Sequence, residues 1–116
     1  MLKFSIVGVA FPYADKLDQT KIRPVLCLTN SIGKFDEVII AYITSKIPYE
    51  KLDSDLIIDK KDPEFENTGL NHKSAVRLHK LMTISKAEII GVIGVLPGDL
   101  QVQALSKVTS LFSGNN

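Results

Sequence analysis

The chain has one cysteine, no tryptophan and no long apolar run, and its 14 basic side chains are nearly balanced by 13 acidic ones. Each scarcity excludes something. A lone thiol, Cys27, cannot form an internal disulfide, which suits a reducing cytoplasm better than an exported, stapled module. Between Leu26 and Leu28 it reads as a packing residue, because apolar surroundings disfavour the thiolate. No stretch approaches the roughly 20 apolar residues of a membrane helix, and the N-terminus shows no cleavable signal pattern. A cytoplasmic protein with no membrane association is therefore expected. The net charge of +1 rules out a histone-like polyanion binder, so an anionic partner must be met by a local patch. There is no Gly-rich phosphate loop, no His-Glu-x-x-His and no cysteine pair, so nucleotide hydrolysis and zinc chemistry lack support. No cofactor and no metal are expected.

What is present is ordinary globular composition, 45% hydrophobic and 23% charged over 116 residues, enough for one core and too little for two. Residues 1–116 read as a single domain. Short β-rich runs punctuated by turn residues predict strands over Phe4–Ala10, Pro24–Leu28, Glu37–Thr44, Asp55–Asp59, Ser74–Leu81 and Gly91–Leu96. Phe11–Asp15 and the polar stretch Lys16–Lys21 read as connections. Ser85-Lys86-Ala87-Glu88 has the spacing of a capping box. Beyond Pro97-Gly98, with Asp99 as an expected N-cap, Leu100, Leu105, Val108, Leu111 and Phe112 fall near helical spacing, predicting an amphipathic C-terminal helix. Strands of this size in a flat sheet would leave apolar edges open, so a small, strongly bent barrel flanked by the helix is expected.

Three clusters can carry chemistry. In Lys21-Ile22-Arg23-Pro24, the proline biases Arg23 toward extended backbone, and a guanidinium keeps its charge in a protein. Thr44-Ser45-Lys46 ends the third strand with two hydroxyls and a cation, although such hydroxyls also close strands by bonding their own backbone. Arg77 and His79 share one face of the fifth strand by alternation. Cations, hydroxyl donors and a group titrating near neutrality are the equipment for handling a phosphodiester. His72, in the loop Asn71-His72-Lys73, reads as an exposed backbone contact.

In order and spacing, several segments resemble the MazF/PemK family of toxin endoribonucleases. They are Phe11-Pro12-Tyr13, Lys21-Ile22-Arg23-Pro24, Ile43-Thr44-Ser45, Thr68-Gly69-Leu70, Ser74-Ala75-Val76-Arg77-Leu78, Thr83-Ile84, Ile93-Gly94-Val95-Leu96 and the closing helix. The resemblance spans nearly the whole chain. It implies an SH3-like small β-barrel of the CcdB/MazF type with a C-terminal helix, a homodimer, and metal-independent cutting of single-stranded RNA. It also implies an antitoxin partner whose flexible tail occupies the RNA groove. Carried over by residue, it makes Arg23, Thr44, Ser45, Arg77 and His79 the catalytic set, and Pro12, Tyr13, Lys21, Lys46, His72 and Lys73 contacts to RNA. The chain departs from the family at two places. Phe4-Ser5 stands where Gly-Asp is usual, and His79 stands where one branch has a catalytic aspartate.

An imidazole can still take the proton of a ribose 2′-hydroxyl or protonate the leaving 5′-oxygen. The expected reaction leaves 2′,3′-cyclic phosphate and 5′-hydroxyl ends. The competing reading is a non-catalytic barrel that binds nucleic acid or protein. A gyrase poison on a related barrel would leave the Arg-Pro and Thr-Ser clusters idle.

Overall fold

The computed structural model describes residues 1–13 and 16–114. Among the described residues, six antiparallel strands, β1 (Ser5–Tyr13), β2 (Lys16–Cys27), β3 (Glu37–Thr44), β4 (Asp55–Ile58), β5 (Ser74–Ser85) and β6 (Ile89–Val95), precede one α-helix, α1 (Gly98–Ser113). They form one sheet in the order β4-β5-β3-β2-β1-β6. The third strand falls on its expected residues, and the others differ mainly at their ends. β2 begins eight residues before Pro24, because its polar half pairs with β1, Phe11 opposite Lys21 and Val9 opposite Arg23. That pairing is made by the backbone, which hydrophobic periodicity does not report. Of the Phe11–Asp15 connection, Phe11 to Tyr13 extend β1, while Ala14 and Asp15 lie outside the described residues.

The sheet is not closed, which corrects the expected SH3-like barrel. Among the described residues β4 pairs only with β5 and β6 only with β1, so these two strands remain as edges. β4 is four residues long, and the flank of β6 is taken by the 3-10 helical turn Phe65–Thr68. The two interlock closely. A Cβ on Gly94 would lie 2.4 Å from the carbonyl oxygens of Asn67 and Thr68, and one on Gly69 2.3 Å from the Ile93 carbonyl oxygen. Turn and helix thus cover what strand pairing would otherwise close.

Alternation along the strands separates two cores. Ile6, Leu26, Ala41, Ile43, Leu56, Ile58, Val76 and Leu78 pack with Leu96, Leu100 and Ala104. Val7, Val9, Val25, Cys27, Val38, Ile40 and Ile84 form the second cluster on the opposite face. Burial pushes the Cys27 thiol up to about 11, in keeping with its packing role. On α1 the inward stripe is Leu100, Ala104, Val108 and Leu111. Leu105 and Phe112, expected to pack, are 44% and 76% exposed, because the sequence spacing admits more than one apolar stripe. Asp99 lies inside the first turn, and Pro97 occupies the N-cap. The capping box forms as expected, Ala87 N–H donating to Ser85 Oγ and Ser85 N–H to Glu88 Oε2.

The departure at Phe4-Ser5 falls at a turn. Phe4 has φ 67°, a left-handed conformation that glycine adopts without strain. Its N–H donates to Cys27 O at 2.7 Å, its carbonyl accepts from Leu96 N–H at 2.9 Å, and its ring joins the first core. Burial of the ring and two backbone bonds offset the strain.

Candidate functional site

β2 and β3 are hydrogen-bonded only where Val25, Leu26 and Cys27 face Tyr42, Ala41 and Ile40. Pro24 supplies no N–H to continue the ladder, and from that residue the strands part. The wedge between them is a groove of about 480 Å³. One wall is Lys21 to Pro24 and the other Ile43 to Lys46, while Gly69 to His72, Ser74 and Ile93 complete the lining. The Gly69–Gly94 interlock holds the loop bearing His72 against β6.

The structure therefore gathers Lys21, Arg23, Thr44, Ser45, Lys46 and His72 into one cavity. Lys21, Arg23, Ser45, Lys46 and His72 are all exposed, so charge and hydroxyl groups are offered to solvent along a cleft whose lining also includes Ile22, Pro24, Ile43, Leu70 and Ile93. Thr44 also caps its own strand: its Oγ1 accepts the Lys46 N–H at 3.1 Å. Lys73 lies outside the lining and pairs with Asp59 at 3.7 Å. The Lys61 backbone N–H, followed by the charge of Lys73, holds the Asp59 carboxyl below its usual value. Pro12 and Tyr13 end β1, and their side chains lie outside the described residues.

Arg77 and His79 do not line the groove. Thr44 is opposite Ala75 and Tyr42 is opposite Arg77, which sets Arg77 on Thr44's face of the sheet, one row further along. Such diagonal neighbours are roughly 7–8 Å apart. Arg77 is instead tied to Asp55, a residue of β4 that is wholly buried; the Nε–Oδ1 distance is 2.7 Å. His79 Nδ1 lies 4.0 Å from the same oxygen. Asp55 is the partner of Arg77 that sequence reasoning missed. An acid opening the apolar run Leu56-Ile57-Ile58 was the available signal, because a carboxylate entering a core needs a partner.

A six-stranded antiparallel sheet with a terminal helix and a cleft lined by cations and hydroxyls is the frame in which the comparisons with known proteins fall. The chain belongs to the PemK-like, MazF-like toxins of type II toxin–antitoxin systems, whose family profile matches residues 3–112. No curated protein matches its sequence significantly. Among solved structures it is similar to the Mycobacterium tuberculosis toxin MazF-mt6, with 23% identity, TM-score 0.69 and coverage of 94% of this chain and 96% of that one. It is also similar to a mycobacterial endoribonuclease solved in complex with its cognate antitoxin, with 12% identity, TM-score 0.72 and coverage of 97% and 95%. MazE-MazF from Deinococcus radiodurans matches with 15% identity, TM-score 0.70 and coverage of 95% and 93%. At these identities the likeness is one of fold.

Proposed function

We propose that the chain is a toxin that cleaves single-stranded RNA without a metal, leaving 2′,3′-cyclic phosphate and 5′-hydroxyl ends. The observation that carries this reading is the convergence of Lys21, Arg23, Thr44, Ser45, Lys46 and His72 on one groove, within a chain of this toxin family. Lys21, Lys46 and His72 guide the RNA backbone, and Lys73, Pro12 and Tyr13 are further contacts to RNA. Arg23 offsets charge on a phosphate in the cleft, and Thr44 and Ser45 donate hydrogen bonds to its non-bridging oxygens. One row away, Arg77 stabilises the charge that develops at the reacting phosphate, and His79 transfers the proton. The nucleophile is the ribose 2′-hydroxyl, so DNA is bound without being cut. The partners are a second copy of the chain and an antitoxin whose tail competes for the groove.

A second reading rests on His72, which lines the groove whereas His79 does not. In it, His72 transfers the proton and scission occurs inside the cleft. Incubation with a long single-stranded RNA in EDTA, beside Arg23→Ala, His72→Ala and His79→Ala, tests both. The first reading expects discrete chelator-resistant cuts that vanish in Arg23→Ala and His79→Ala; loss only with Arg23→Ala and His72→Ala moves the chemistry to the cleft. Intact RNA across many sequences with retained binding makes the protein a non-catalytic module.

A further inference from the structure

Asp55 is fully buried, yet both of its oxygens are engaged and two basic side chains face one of them. Oδ2 accepts the Leu52 N–H at 2.9 Å. Oδ1 accepts Arg77 Nε–H at 2.7 Å and lies 4.0 Å from His79 Nδ1. The bond to Arg77 uses Nε, leaving the terminal nitrogens of the guanidinium for an outside anion. A carboxylate facing Nδ1 favours the proton on that nitrogen and leaves Nε2 as the atom that can meet a substrate. An ion pair serving only the fold needs neither outlet, whereas the Arg77 side chain retains 19% of its exposure and that of His79 30%. Their closeness comes from strand pairing, with Asp55 opposite Arg77 and His79 two residues further along β5.

We propose that Asp55 is a positioning residue for RNA cleavage, holding Arg77 by Nε and setting His79 in the Nδ1–H tautomer with Nε2 outward. The proposal rests on the cleavage reading above with His79 as the proton-transfer group. In that reaction the 2′-oxygen forms a bond to phosphorus as its proton passes to His79 Nε2. The bond from phosphorus to the 5′-oxygen breaks, and that oxygen leaves with the bonding pair and takes a proton from water. Arg77 faces the charge on the non-bridging oxygens.

The test combines ring nitrogen NMR of the free protein with single-turnover cleavage of a single-stranded RNA, for the wild type, Asp55→Asn and Asp55→Glu. Asparagine retains the shape but removes the charge, and thermal melting shows at which temperature each variant is folded. With two histidines in the chain, His72→Gln assigns the ring signals. The expected result is an Nδ1–H ring at His79 in the wild type and a shift toward Nε2–H in Asp55→Asn. The cleavage rate of that folded variant falls roughly 10-fold or more with little change in KM, and Asp55→Glu restores part of it. An unchanged tautomer in Asp55→Asn overturns the proposal, as does a rate loss that follows only the unfolded fraction. If the wild type cuts no RNA, the cleavage reading fails, and the ring spectra still decide whether Asp55 sets the histidine.

Discussion

Arg23 and Arg77 stand on strands of the same sheet in opposite circumstances. Arg23 is exposed in the wall of the groove, and among the described residues no carboxylate pairs with it. Arg77 is mostly buried and bonded to a carboxylate with no exposure at all. A guanidinium of the first kind keeps its full charge for a ligand and can be removed at small cost to the fold. One of the second kind supports the fold as well, because its loss strands a buried anion. The contrast shows how one family of cations can be divided between binding and architecture by the neighbour each meets.

Substituting alanine at the two positions should break the comparison most sharply. Arg23→Ala is expected to lower RNA cleavage by roughly 10²- to 10³-fold while shifting stability by no more than about 0.5 kcal/mol. Parallel cleavage assays and urea melts check this, and wild-type activity in that variant would remove Arg23 from the site. Arg77→Ala is expected to cost about 3 kcal/mol of stability, and a double-mutant cycle with Asp55→Asn should recover part of the loss. Independent, additive effects would show that the two side chains are not coupled.

Gly94→Ala tests whether the groove's floor is held from behind. A methyl group 2.4 Å from two carbonyl oxygens must displace the turn, at a cost of about 2 kcal/mol, and should weaken RNA binding by moving the His72 loop. Calorimetry with a binding titration would show it. The smallest effect concerns the second core. The folded-state value of Cys27 is raised to about 11 from 9.0, so the folded state holds that proton more tightly than the unfolded one. Its contribution is fully present below pH 9 and is lost as pH rises toward 11, about 1 kcal/mol being gone by pH 10. Cys27→Ala should show a shallower decline over that window in pH-dependent melts.

Much of the groove was legible in the chain because its walls are contiguous segments. Lys21-Ile22-Arg23-Pro24 lies within β2, where Pro24 marks the place at which β2 leaves β3, and Thr44-Ser45-Lys46 lies where β3 ends. The open sheet was not legible, because the Glu37–Thr44 and Gly91–Leu96 runs would look the same in a closed barrel. Closure depends on whether β4 and β6 meet, and it is the fit of the Phe65–Thr68 turn against Gly94 that places something else beside β6. Nor did helical spacing alone distinguish Leu105 and Phe112 from the inward stripe of α1.

The sequence by itself determined the family, six strands and a closing helix in approximately their right places, and the cations of the groove walls. These follow from local constraints: turn residues, strand periodicity, and a proline that removes a hydrogen-bond donor. Only the tertiary structure decided that the sheet stays open, that His72 enters the groove while Arg77 and His79 stand outside it, and that Asp55 joins the latter two. Asp55 and Arg77 are separated by 22 positions, and the partner of a buried charge is set by strand register across the sheet, which no local pattern encodes.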